Sequence, residues 1–145
     1  MTVLISGPEP GAPKIDLALL RRRALRALRA IERADAELSI ALVDDAAIAE
    51  LNARYRDKPG PTDVLSFSQL EGDDAPGDGG LLGDVVISLD TARRQARERR
   101  RGIDGEVARL LVHGLLHLVG YDHEQDEEAR VMEALERRVR RAIDA

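Results

Sequence analysis

Cysteine is absent from the 145 residues, which removes disulfides, cysteine-based zinc sites and thiol nucleophiles together and suits a reducing compartment. The opening stretch Met1–Ser6 lacks the basic start and long apolar core of a secretory signal. Nowhere do the roughly 18 consecutive apolar residues of a membrane span occur. A cytoplasmic chain without membrane association is the expectation. Aromatic residues are almost missing as well: only Tyr55, Phe67 and Tyr121 are present. Three are too few for the base-stacking platform that many single-strand binders use, so any RNA would be held mainly through its backbone. Nor is there bulk positive charge. A formal net charge of −5 argues against coating nucleic acid by overall attraction, and no DNA partner is expected.

What is abundant is arginine, with 20 arginines to two lysines. Base concentrates in Arg21–Arg23 and Arg93–Arg101, and acid in Glu71–Asp78 and Glu124–Glu128. Such runs read first as solvated helix faces, with RNA contact by Arg93, Arg94, Arg97 and Arg101 as the alternative. A chain of this length suits a single domain over 1–145.

Residues 2–6 read as a short strand. Between Lys14 and Arg33, Leu17, Leu20, Ala24, Leu28 and Ile31 recur at helical spacing. Glu37–Val43 alternates Leu38, Ile40 and Leu42, a strand signal. Asp44 or Asp45 can cap a short helix that runs through Leu51 to about Tyr55. Val64–Phe67 and Leu82–Ser88 form two further strands, joined by the Gly- and Asp-rich loop Glu71–Gly80, for which mobility is expected. Helices follow over Asp90–Arg101 (capped by Ser88 or Asp90), from about Asp104 to Val119, and from Gln125 to about Ile143. Strands crowd the first half and helices the second. The fold class is α+β, a small mixed sheet of about four strands packed with about five helices.

All three histidines fall between residues 113 and 123, in His113-Gly114-Leu115-Leu116-His117-Leu118-Val119-Gly120-Tyr121-Asp122-His123. The first two are four residues apart on an apolar helix, which stacks them on one face with Cβ atoms roughly 5–6 Å apart. Gly120 can end that helix at positive φ, and the chain reversal would bring His123 back toward the pair. Three imidazoles without a fourth protein ligand match a catalytic zinc site, one ion per chain, that keeps a position open for water. The H-x-x-x-H-x-x-G-x-x-H spacing is also that of zincin-like metzincin proteases. Those proteases place a glutamate base directly after the first histidine, where this chain has Gly114.

The segment His113–His123 resembles the signature of the YbeY family, H-G-x-L-H-L-x-G-Y-D-H. Leu51-Asn52-Ala53-Arg54-Tyr55-Arg56 with Thr62–Phe67, and Leu82–Ser88, are similar to two further family blocks, L-N-x-x-[FY]-R…T-[DN]-V-L-S-F and L-G-D-[IV]-x-I-S. Ser68 departs from the family's usual proline. The resemblance implies a metal-dependent endoribonuclease that matures ribosomal RNA, notably the small-subunit 3′ end, with a role in ribosome quality control. It also implies zinc on His113, His117 and His123, a functionally important Arg56, and an rRNA precursor and the ribosome or its small subunit as partners.

Chemistry can be built on the same residues. Arg56 offers a permanently charged planar fork suited to phosphate and is the candidate catalytic side chain; a surface salt bridge is the alternative. Asp84 or Asp122 could orient a ligand histidine, or end a strand and cap a turn. Thr62, Asp63 and Ser66 either line the cleft or close a turn. Two other functions stay open: a metalloprotease-like hydrolase with its base from elsewhere, for instance Glu124, and a non-catalytic ribosome assembly factor with a structural metal.

Overall fold

A computed structural model describes residues 2–68, 80–121 and 125–144. The Glu71–Gly80 loop (apart from Gly80) and Asp122, His123 and Glu124 lie outside the described residues. In chain order the elements are β1 (Thr2–Ser6), α1 (Leu17–Ala30), β2 (Glu37–Val43), α2 (Asp45–Arg56), β3 (Val64–Ser68), β4 (Leu81–Ser88), α3 (Leu89–Glu98), α4 (Ile103–Leu118) and α5 (Asp126–Asp144). The strands form one mixed sheet in the order β1-β2-β4-β3. β1, β2 and β4 run parallel, and β3 pairs antiparallel with β4, Ser66 opposite Val85 and Phe67 opposite Asp84. The expected α+β architecture is therefore present. Among the described residues no helix is long and apolar enough to cross a membrane.

The residue alternation of each strand decides which face of the sheet carries the core. Leu38, Ile40 and Leu42 of β2, with Val85 and Ile87 of β4, point to one side, where they meet Leu20 and Leu28 of α1, Leu111 and Leu115 of α4, and Met132 and Val139 of α5. On the opposite side, among the described residues, only Ile48 of α2, Leu65 of β3 and Val86 of β4 form a buried cluster, with Ala41, Val43, Leu51 and Phe67 at its rim. Period-two alternation thus splits a large core from a small one.

Helix starts follow side-chain chemistry. The Asp16, Asp44 and Ser88 side chains accept from the backbone N–H groups of Leu19, Ala47 and Thr91, so Asp44 rather than Asp45 and Ser88 rather than Asp90 are the caps. Two helix ends differ from expectation. The first helix stops at Ala30, not Arg33, because Glu32 adopts φ 60° and the Arg33 N–H turns back to the Leu28 carbonyl. The third stops at Glu98, not Arg101: Arg100 adopts φ 54° and the Arg101 N–H reaches the Ala96 carbonyl. Both are six-to-one closures of the Schellman kind, made without the usual glycine.

A candidate metal centre beside the edge strand

α4 is buried on nearly all sides, through Leu110, Leu111, Val112, Gly114, Leu115, Leu116 and Leu118, while His113 and His117 stay half-exposed. Their spacing does what the helix period requires. The Nε2 atoms face each other at 3.1 Å, and the rings meet edge-on with centroids 4.7 Å apart at 78°. The His113 Nδ1 lies 2.8 Å from Oε1 of Glu136 on α5. With Nδ1–H donating to that carboxylate, the His113 Nε2 carries a lone pair directed at His117. The bond from His113 holds the Glu136 carboxyl below its usual range; burial opposes this, and the Arg109 and Arg140 charges reinforce it. Two imidazole nitrogens converging in this way can share one cation. Among the described residues no cluster of three or more metal-binding side chains occurs, and His123, the third expected ligand, lies outside them.

The helix comes close to the sheet at one point. A Cβ on Gly114 would stand 2.8 Å from Val85 Cγ1 and 3.1 Å from Val64 Cγ2 and Ser66 Oγ. The absence of a side chain there lets β3 and β4 lie against the turn that carries the histidines. Ser66 donates its hydroxyl to the Gly114 carbonyl at 2.8 Å, and Ser68 donates to that of Leu118 at 3.3 Å. Past the helix, Gly120 takes φ 100°, its N–H bonding the His117 carbonyl and the Tyr121 N–H that of Leu116. This is the expected glycine-terminated end.

Arg56 closes α2. Its Nη2 donates to the Ser66 carbonyl at 2.5 Å, and its guanidinium carbon lies 5.8 Å from the Phe67 ring centroid. Among the described residues it has no carboxylate partner. Ser66 thus bonds α4 through its hydroxyl and Arg56 through its carbonyl. Asp63 instead accepts from Gln95 and, through its carbonyl, from the Ser88 N–H, which makes it a tie to α3. Asp84 sits within β4 opposite Phe67 and does not end the strand. The residue that sequence reasoning missed is Glu136. Its signal was an acid within the apolar stripe Met132, Val139 and Ile143 of α5.

The likeness seen in the motifs extends along the chain. The profile of the family Endoribonuclease YbeY matches residues 12–144. An endoribonuclease YbeY of Anaeromyxobacter sp. is 51% identical over 142 residues, covering 98% of this chain and 72% of that protein. The endoribonuclease YbeY of Syntrophotalea carbinolica is 49% identical over 125 residues, 85% of this chain and 83% of the other. The solution structure of TM1509 from Thermotoga maritima matches with a TM-score of 0.65 at 26% identity, covering 97% of this chain and 88% of that one. The chain belongs to the YbeY endoribonuclease family.

Proposed function

We propose that the protein is a zinc-dependent, single-strand-specific endoribonuclease of the cytoplasm. On this reading it matures the 3′ end of small-subunit ribosomal RNA on ribosomal precursors and serves ribosome quality control. The observation that carries the chemistry is the pair of Nε2 atoms 3.1 Å apart. Two nitrogen ligands at 2.0–2.1 Å from a tetrahedral zinc stand about 3.3–3.4 Å apart, so the described pair fits that ion with little movement. His123 would complete the set. When bound, zinc supplies a Lewis acid and a water whose pKa is lowered to about 7.

The protein's own residues do the rest. Glu136 fixes the His113 ring and its tautomer through Nδ1, which keeps Nε2 a lone-pair donor. Ser66 sets the depth of the histidine turn against β3. Arg56 commits one N–H to the Ser66 carbonyl and keeps the remainder of its fork for phosphate oxygens, where charge grows during transfer. A planar cation beside the β3 edge suits a phosphodiester better than a peptide.

The test is cleavage of a single-stranded small-subunit precursor RNA by the purified protein, with zinc measured alongside. Expected are about one zinc per chain, chelator-sensitive cutting, and loss of both on changing His117→Ala. Arg56→Ala should keep its zinc and lose cutting, with Arg56→Lys restoring only part. Cutting that persists after complete zinc removal would overturn the reading.

A further inference from the structure

Two of the three aromatic rings meet at one place, on the α2 side of β3. Tyr55, in the last turn of α2, is 59% exposed, and its ring stands edge-on to Phe67 with centroids 5.5 Å apart at 75°. The Arg54 guanidinium carbon lies 6.0 Å from the Tyr55 centroid, and that of Arg56 lies 5.8 Å from Phe67. The two rings are therefore flanked by the two cations, in the order Arg54, Tyr55, Phe67, Arg56. A single exposed tyrosine on a helix is ordinary. This one has neighbours: its ring and that of Phe67 form a T-shaped pair, and Arg54, which lies over it, also bonds Glu50 at 2.8 Å. The array is also joined to the histidine turn, since Arg56 bonds the Ser66 carbonyl and Ser66 bonds the Gly114 carbonyl, next in sequence to His113.

We infer that Tyr55, backed by Phe67 and flanked by Arg54 and Arg56, is a base-stacking subsite for a nucleotide flanking the cut in single-stranded RNA. The inference rests on the proposed nuclease reading. Arg54 lies over one face of the Tyr55 ring and Arg56 over Phe67, so the exposed Tyr55 face opposite Arg54 is the one that would take a base, without sequence preference, while the two guanidiniums serve the attached phosphates. On a chain with net charge −5, this local pairing of positive charge with aromatic surface suits a nucleotide. β3 separates the two sites by one strand's width: Val64 and Ser66 meet α4, whereas Leu65 and Phe67 belong to the α2 side. RNA that crosses this sheet edge would place the scissile link by the histidines and the adjacent base on Tyr55. Few aromatics are needed when one base is held instead of a track of them.

The experiment uses single-stranded oligouridylate with 2-aminopurine at each position in turn, mixed rapidly with the zinc-loaded protein and read before turnover. Stacking on Tyr55 should quench one position. Tyr55→Ala should abolish that quench and raise Kd about five- to a hundredfold, whereas Tyr55→Phe and Tyr55→Trp should keep it. Removing the base at that position should weaken binding to the wild type by a like factor and add nothing in Tyr55→Ala. Unchanged quenching and Kd in Tyr55→Ala, from a wild type that binds and cuts RNA, would overturn the subsite alone. So would an abasic penalty of equal size in both proteins. A wild type that neither binds nor cuts RNA would overturn the nuclease reading and the subsite with it.

Discussion

The two faces of the sheet are built to different standards. Toward α1, α4 and α5 the strands present Leu38, Ile40, Val85 and Ile87, none of them reached by solvent. Toward α2 the buried apolar cluster among the described residues is only Ile48, Leu65 and Val86, and position there depends on polar ties. Asn52 donates to the Gly60 carbonyl, Asp45 collects Ser88, Thr91 and Arg94, and the Asp45 N–H donates to Asp90. The face that anchors the paired histidines is held by packing. The face that carries Arg56 and Tyr55 is held by directed bonds and leaves those side chains exposed. A metal site needs fixed ligand geometry, which a dense core provides. A strand-binding surface needs accessible rings and cations, which a dense core would hide.

The widest gap between the faces should appear when one leucine is truncated on each. Leu111, fully buried in the large core, should cost toward the upper part of the ~2–5 kcal/mol range when changed to alanine. Leu65, 7% exposed in the small cluster on an edge strand, should fall at the bottom of that range. Urea unfolding of both variants at one pH measures the pair. Equal costs would mean that the α2 face carries as much packing energy as the other, and the contrast drawn above would fail.

Next in size is the contact point between α4 and the sheet. Gly114→Ala forces a methyl group to within 2.8 Å of Val85 Cγ1, and β-branched neighbours at Val85 and Val64 have little room to turn away. Overpacking of this kind costs about 1–3 kcal/mol. The loss should also spread the histidine turn from β3 and lower zinc affinity, read by chelator competition. A larger side chain is worse still, so the glutamate base of the metzincin proteases has no space at this position. A peptidase built on this site would have to draw its base from elsewhere, as the Glu124 alternative does. An alanine variant with wild-type stability and zinc affinity would show that the close approach is slack.

These observations also mark what could be read from the sequence. α1, β2 and the His113–His117 pair were legible from a short-range period, 3.6 for the helices and two for the strand, β3 and β4 from their β-branched apolar runs, and α2 from its cap. Gly120 was legible because a glycine after an apolar helix has one common use. The helix ends at Glu32 and Arg100 were not, since neither residue favours positive φ and the surrounding turns impose it. Glu136 escaped because its partner is 23 residues away and depends on how α5 crosses α4. The meeting of Tyr55 with Phe67 escaped for the same reason: counting aromatics gives their number, whereas their use depends on placing β3 at the sheet edge under α2.

The smallest expected effect concerns the polar ties themselves. Burial pushes the Asp45 carboxyl up, but hydrogen bonds from Ser88 at 2.6 Å and Thr91 at 2.7 Å, with the Arg94 guanidinium at 2.9 Å, outweigh it and leave the group below its ordinary value. In the unfolded chain the same carboxyl titrates near about 3.9. Because the folded value is the lower one, protons bind the unfolded state preferentially. The contribution of Asp45 is therefore complete above about pH 4 and is lost as the pH falls through the folded value. Asp45→Asn removes that proton linkage while keeping size and much of the hydrogen bonding. Urea midpoints between about pH 5 and pH 2 should then fall less steeply for Asp45→Asn than for the wild type, with near-parallel behaviour at higher pH. The comparison of the faces is sharpened if Leu65→Ala steepens sensitivity to the Asp45 change while Leu111→Ala does not, since only the former shares its face. Parallel acid curves for wild type and Asp45→Asn would remove this carboxylate from among the bonds that hold α2 in place.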